Sequence, residues 1–341
     1  MAFPFKKERP FFHALKAAII QEGGCWKHSK KPDNKPQGKE KKVRTIINFA
    51  RKREPPQKKA GAQMKTRNME KGPIGVFDSG YGGLTILEEF RRQLPKESFL
   101  YLGDNARTPY GTRSFEVVYQ FTREAVMHLF KKGCPLVILA CNTASAKALR
   151  NIQQKDLPKI APEKRVLGII RPTSEILGDL TQSRHVGILA TAGTVRSGSY
   201  PIEIRKLFPD ITVTQVACPM WVPLVENGEG ESEGADYFIK KYIDELFKKD
   251  PKTDTVILGC THYPILRKKI QACMPEGVRL VFQGPIVSES LKDYLIRHPE
   301  MDRLIQKDGQ TKYLTTESTE TFEKNASIFL KEPVMAQHIE L

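Results

Sequence analysis

Two short segments of the 341-residue chain read almost alike. Val137-Ile138-Leu139-Ala140-Cys141 runs into Asn142-Thr143, and Val256-Ile257-Leu258-Gly259-Cys260 runs into Thr261-His262. Each is an apolar, β-branched run that ends on a cysteine and passes at once into hydrogen-bonding residues. Each is followed by a segment that reads as the opening of a helix, Ala144-Ser145-Ala146-Lys147 in one case and Tyr263-Pro264-Ile265-Leu266 in the other. A buried strand that feeds a helix is half of a parallel βαβ unit, so the chain has to build at least two such units.

The correspondence extends upstream. Ile74-Gly75-Val76-Phe77-Asp78-Ser79 matches Val186-Gly187-Ile188-Leu189-Ala190-Thr191 in pattern and place, 63 residues before one cysteine strand and 70 before the other. In the first series the pattern predicts strands over 74–77, 98–102 and 136–140, with helices over 84–93 and 115–131. In the second it predicts strands over 186–190, 212–217 and 256–259, with helices over 199–207 and 235–247. Helices over 288–296 and 319–330 return to the first unit. The expectation is an α/β fold of two pseudo-symmetric domains with mainly parallel sheets, 72–167 plus 280–341 and 168–279. Ligands of such sheets bind at the carboxyl ends of the strands, where both cysteines fall, so the active site is expected in the cleft between the domains.

Residues 1–71 differ in kind. They hold 20 of the 55 Lys and Arg but only 6 of the 39 Asp and Glu, so nearly all of the +16 net charge lies there. Three readings of this extension stay open: sequence upstream of a true start at Met64 or Met69, a solvated disordered segment, or a tether to nucleic acid or an anionic surface. The remainder is nearly neutral, which argues against nucleic-acid binding by the core. Six scattered cysteines fit a reducing cytoplasm better than a disulfide scaffold. No run of about 18 apolar residues suggests a membrane span. Residues 11–20, interrupted by His13 and Lys16, make a poor signal peptide.

Two thiols on facing walls suit one kind of chemistry. Inverting an α-carbon without a cofactor needs a base on one face and an acid on the other, able to exchange roles. Cysteine can be held in either protonation state near neutral pH. A strand-end cysteine facing a helix N-terminus is expected to have a depressed pKa. The blander reading, two small buried hydrophobes, suits one cysteine better than a matched pair. Asp78 heads a glycine turn, Ser79-Gly80-Tyr81-Gly82-Gly83, that lacks the glycine pattern and the Gly-Lys of nucleotide loops; it reads as a polar group near a thiol or a substrate ammonium. His262 could orient or protonate Cys260, cap a helix, or join the two cysteines as zinc ligands. Asn142, Thr143 and Thr261 could cap helices, bind a carboxylate, or both. Asp104 and Tyr110 could be turn and surface residues, and Glu226 a buried catalytic carboxylate or a helix-start acid.

Taken together, the runs Phe77-Asp78-Ser79-Gly80-Tyr81-Gly82-Gly83-Leu84, Tyr101-Leu102-Gly103-Asp104, Pro109-Tyr110-Gly111, Cys141-Asn142-Thr143-Ala144, Ala190-Thr191-Ala192-Gly193-Thr194 and Gly259-Cys260-Thr261-His262-Tyr263-Pro264 resemble the cofactor-independent glutamate racemases of bacterial cell-wall synthesis. The resemblance implies interconversion of L- and D-glutamate with neither metal nor cofactor. Cys141 would take the α-proton of D-glutamate and Cys260 that of L-glutamate. Asp78 would assist Cys141, and His262 and Glu226 would assist on the opposite side. Asp78, Ser79, Tyr110, Gly111, Asn142, Thr143, Thr191, Thr194, Thr261 and His262 would bind substrate. A homodimer is expected. Arg171-Pro172-Thr173 and Gln283-Gly284 depart from the family pattern, at positions expected to be peripheral to the thiols.

Overall fold

The computed structural model describes residues 70–341, so the basic extension 1–71, save its last two residues, lies outside the described part. In chain order the strands of that part are β1 (Ile74–Asp78), β2 (Phe99–Gly103), β3 (Leu136–Leu139), β4 (Arg165–Gly168), β5 (His185–Ala190), β6 (Thr212–Ala217), β7 (Thr255–Gly259), β8 (Arg279–Val281), β9 (Thr311–Thr315) and β10 (Ala336–His338). They form two sheets with every pairing parallel. One has six strands in the order β10-β9-β2-β1-β3-β4, the other four in the order β6-β5-β7-β8. The segments β2-β1-β3-β4 and β6-β5-β7-β8 have the same topology, which is the structural counterpart of the sequence repeat.

Register places the chemistry. Phe77 pairs with Leu139, so β1 and β3 end together and deliver Asp78 and Cys141 to one sheet edge. Ala190 pairs with Gly259, which brings Thr191 and Cys260 to the corresponding edge of the second sheet. These central strands are buried on both faces. Ile74 and Val76 enter one core cluster with Phe90 and Phe322, whereas Phe77 enters another with Val137 and Leu139. Val256 and Leu258 enter a third with Trp221 and Tyr263.

Local signals set the helices. Ser114 caps Phe115–Lys131 by accepting from Val117 N, Ser232 caps Glu233–Lys249 from Ala235 N, and Ser318 caps Thr319–Leu330 from Thr321 N. Two expectations need correction. β4, β8, β9 and β10 did not figure among the predicted strands; each carries polar or partly exposed positions and none is the continuous apolar run that marks β1 or β3. The second cysteine also does not open an α-helix as the first does. Cys141 is the N-cap of Asn142–Lys147, but Cys260 is followed by Thr261, His262 and a 3₁₀ turn over Tyr263–Leu266, and α-helix resumes only at Arg267–Cys273.

The turn after β1 depends on close backbone approach. A Cβ on Gly83 would lie 2.5 Å from the Cβ of Asp78 and 3.2 Å from that of Ala140. Gly83→Ala is therefore expected to destabilise the fold by about 1–3 kcal/mol, the usual cost of overpacking. The urea midpoint should fall at unchanged slope; an unmoved midpoint would mean that the turn yields freely.

Candidate active site

The first wall is built from β1 and β3. Cys141 is buried; its Sγ accepts from Ala144 N at 3.4 Å and lies 3.4 Å from Ser79 Oγ. Asp78 is 1% exposed. Its Oδ2 accepts from Gly80 N at 2.9 Å, while its Oδ1 is buried without a partner among the described residues. Burial raises the Asp78 carboxyl above its ordinary range, and the His262 charge pulls the other way. The expected depression of the Cys141 pKa is overturned: burial, then the neighbouring Asp78 charge, push this thiol up to about 12. The helix-start and Ser79 hydrogen bonds act in the opposite direction and do not offset that cost. Cys141 therefore rests as a protonated thiol.

The second wall is a relay. His262 Nδ1 lies 3.8 Å from Cys260 Sγ, and its Nε2 lies 3.0 Å from Glu226 Oε1. Burial works against charging this imidazole. Hydrogen bonds to Cys260 and Glu226 outweigh it and raise the pKa to about 10. Glu226 comes from the helix Trp221–Glu226, and the Phe329 ring of the Thr319–Leu330 helix meets His262 edge-on at 5.9 Å.

The walls meet closely. A Cβ on Gly82 would lie 2.3 Å from Thr261 Oγ1 and 2.4 Å from His262 Nδ1, so the turn after β1 fits against the second wall only as glycine. Thr85 Oγ1 donates to the Thr261 carbonyl at 3.1 Å. Thr143 Oγ1 lies 3.1 Å from Thr191 Oγ1 and 3.4 Å from Thr194 Oγ1, which groups three hydroxyls from both sheets. Gly111 approaches Thr191, where an added Cβ would lie 3.1 Å from the Thr191 Cβ. The structure thus brings Thr143, Thr191, Thr194 and Gly111 together on one side of this junction, and Cys260, Thr261, His262 and Glu226 on the other. Tyr110 is buried, with its hydroxyl committed to Asp104 Oδ2, so it is no surface tyrosine. The Asn142 side chain is likewise engaged, by Gln283 and Tyr200.

Three participants were not read correctly from sequence. Gln283 is not peripheral: it is 3% exposed and bonded to the residue that follows Cys141. Arg171, by contrast, is a surface residue paired with Glu175. Tyr200 and Lys147 gave no sequence signal beyond being polar atoms within apolar helix faces. Lys147 is nonetheless buried, donates from Nζ to the Arg113 carbonyl at 2.6 Å, and would sit 3.2 Å from a Cβ on Gly193.

The raised His262 pKa fixes a pH dependence. The unfolded chain titrates this histidine near 6.5 and the folded chain near 10, so between those values the folded state holds the extra proton. Stability linked to His262 is complete below pH 6.5 and is lost as pH rises toward 10. Thermal midpoints should fall across that window, and His262→Asn should flatten the slope; equal slopes in both proteins would contradict the assignment.

Among the described residues no helix is long and apolar enough to cross a membrane. The family model for Asp/Glu/hydantoin racemases matches residues 74–286. A glutamate racemase from Ruegeria pomeroyi is 40% identical over 271 residues, which cover 76% of this chain and 97% of that protein. The crystal structure of a glutamate racemase isoform from Bacillus anthracis superposes with a TM-score of 0.72 at 33% identity, covering 79% of this chain and 98% of the other. That of the Francisella tularensis glutamate racemase, in complex with D-glutamate, gives 0.70 at 30% identity, covering 79% and 98%.

Proposed function

The chain belongs to the Asp/Glu/hydantoin racemase family, and within it we propose a glutamate racemase that inverts the α-carbon by proton transfer between Cys141 and Cys260. That it is an amino-acid racemase follows from the family and the fold. The single observation that supports the mechanism is the pairing of each thiol with its own helper: Asp78 beside Cys141, and His262 backed by Glu226 beside Cys260.

The proton balance is simple. Cys260 as thiolate removes the α-proton of L-glutamate, and the Cys141 thiol delivers its proton to the opposite face, giving D-glutamate. Cys260 then holds a proton and Cys141 lacks one, which is the state that processes D-glutamate in return. His262 carries a proton within reach of Cys260. The open Oδ1 of Asp78 gives Cys141 or the substrate ammonium an acceptor. Ser79, Tyr110, Gly111, Asn142, Thr143, Thr191, Thr194 and Thr261 line the remainder and would hold the carboxylates and the ammonium. For Asn142 the free group is the backbone amide at the helix start, since the side chain is already bonded at both ends.

The same reading includes two domains at the boundaries given above, a homodimer, a cytoplasmic location and use of the D-glutamate in peptidoglycan. Proton NMR of L-glutamate in D₂O, with purified protein and nothing added, tests it. Loss of the α-proton signal with D-glutamate accumulating is the expected result. Exchange on aspartate but not glutamate would move the substrate, and silence on both would overturn the reading.

A further inference from the structure

Three buried side chains close a ring of hydrogen bonds at the point where the chain returns from the second sheet to the first. Asn142 Nδ2 donates to Gln283 Oε1 at 2.7 Å, Gln283 Nε2 donates to the Tyr200 hydroxyl at 2.9 Å, and that hydroxyl donates to Asn142 Oδ1 at 2.9 Å. Asn142 and Gln283 are each 3% exposed and Tyr200 is fully buried. Gln283 Nε2 also reaches Thr173 Oγ1 at 3.0 Å and the Ile169 carbonyl at 3.4 Å, on the segment that leaves β4 toward the second sheet. One amide therefore touches both crossings between the sheets.

The ring also adjoins both thiols. Asn142 directly follows Cys141 and is the first residue of the helix that Cys141 caps. Tyr200 packs against the residue before Cys260: a Cβ on Gly259 would lie 3.3 Å from its ring. Within the ring alone, flipping both amides would reverse the donor sense, but the Ile169 carbonyl beside Gln283 Nε2 only accepts, so it holds the ring in the one arrangement that satisfies its donors and acceptors and thereby fixes geometry as well as adding stability.

We infer that Gln283 is a positioning residue for the racemisation: through the Asn142–Gln283–Tyr200 ring it sets where the Cys141 thiol stands relative to the opposite wall. The inference rests on the two-thiol reading and goes beyond it, because Gln283 touches neither thiol. The neutral amide matters, since only a group that accepts from Asn142 while donating to Tyr200 completes the ring. A carboxylate there would accept from both neighbours and donate to none.

The test uses Tyr200→Phe, which keeps the ring volume, Gln283→Leu, and the double variant. Turnover and primary deuterium isotope effects are measured with α-deuterated D-glutamate and α-deuterated L-glutamate. Each single variant should lower kcat by roughly tenfold to a hundredfold, the usual consequence of a small misplacement of reacting groups. The isotope effect should rise for D-glutamate, whose α-proton goes to Cys141. The double variant should fall no more than roughly twofold below the poorer single, because either change alone opens the ring. A residue that only supports the fold lowers the melting temperature and the active fraction but leaves the isotope effect per active site unchanged. Unchanged isotope effects, or losses that multiply in the double variant, would overturn the inference. Failure of the two-thiol reading is seen separately, as racemisation surviving in Cys141→Ala.

Discussion

Cys141→Ala and Cys260→Ala should each abolish net racemisation, with losses on the order of ten-thousandfold, because each removes both a base for one enantiomer and an acid for the other. Neither variant should be inert toward the α-carbon. With one thiol left, an enzyme can lift and return a proton on one face, so a single enantiomer exchanges its α-proton with D₂O and keeps its configuration. The Cys260→Ala protein should exchange only D-glutamate, and slowly near neutrality. Burial and the Asp78 charge hold its remaining thiol well above the ordinary range, so only a small fraction is thiolate at pH 7. That exchange should rise about tenfold per pH unit until the fold is lost. Mass spectrometry of the recovered amino acid, with chiral separation, reads both quantities. Inversion at an ordinary rate in either variant would remove the two-thiol mechanism.

Under the proposed two-thiol mechanism, burial of Cys141 favours the form with the proton on that thiol, which is the form set for L-glutamate, and the other protonation form has to be restored by turnover or by solvent. The equilibrium constant between enantiomers is one, so kcat/KM must be equal in the two directions in any variant. What the walls can tune separately is kcat, KM and the isotope effect on each side. That is why the tests of the two walls are read through isotope effects and pH limbs instead of through a ratio of efficiencies.

How much of this was legible in the sequence depends on burial and on distance along the chain. β1, β3, β5 and β7 are covered on both faces, which makes them near-continuous apolar runs, and the cysteines at the ends of two of them mark the site. The edge strands β4 and β10 are short and partly exposed, so nothing in their composition separates them from loops. Asp78, His262, Thr143, Thr191 and Thr261 were visible because they adjoin a thiol or a matching strand end, whereas Thr194 entered only through the family resemblance. The Asn142–Gln283–Tyr200 ring was not, since its members stand 58 to 141 residues apart and each alone reads as an ordinary polar side chain. The helix expected after Cys260 failed for a local reason. Thr261 and His262 form a turn, closed by Tyr263 N donating to the Cys260 carbonyl at 3.2 Å, that aims the imidazole at Glu226, and the chain continues as a 3₁₀ turn in place of an α-helix. Without that turn the relay on this wall could not form.

His262→Asn should lower kcat/KM by about a hundredfold in both directions, a typical loss for a removed acid–base group. The imidazole stands between two partners, with Nδ1 on the sulfur of Cys260 and Nε2 on Glu226, and its pKa near 10 keeps it protonated through the neutral range. Losing it removes the cation beside the thiol that must part with its proton, so the isotope effect should grow for α-deuterated L-glutamate. Glu226→Gln is the sharper variant, because it leaves the imidazole in place and removes one of the groups that raise its pKa. In the wild type, activity that needs the imidazolium should decline as pH approaches 10. With the carboxylate gone the folded pKa falls, and that alkaline limb should move to lower pH while activity at pH 6 drops only about tenfold. A limb that stays where it was would mean that Glu226 orients the ring without setting its charge. Full activity in His262→Asn would mean that Cys260 works without the relay.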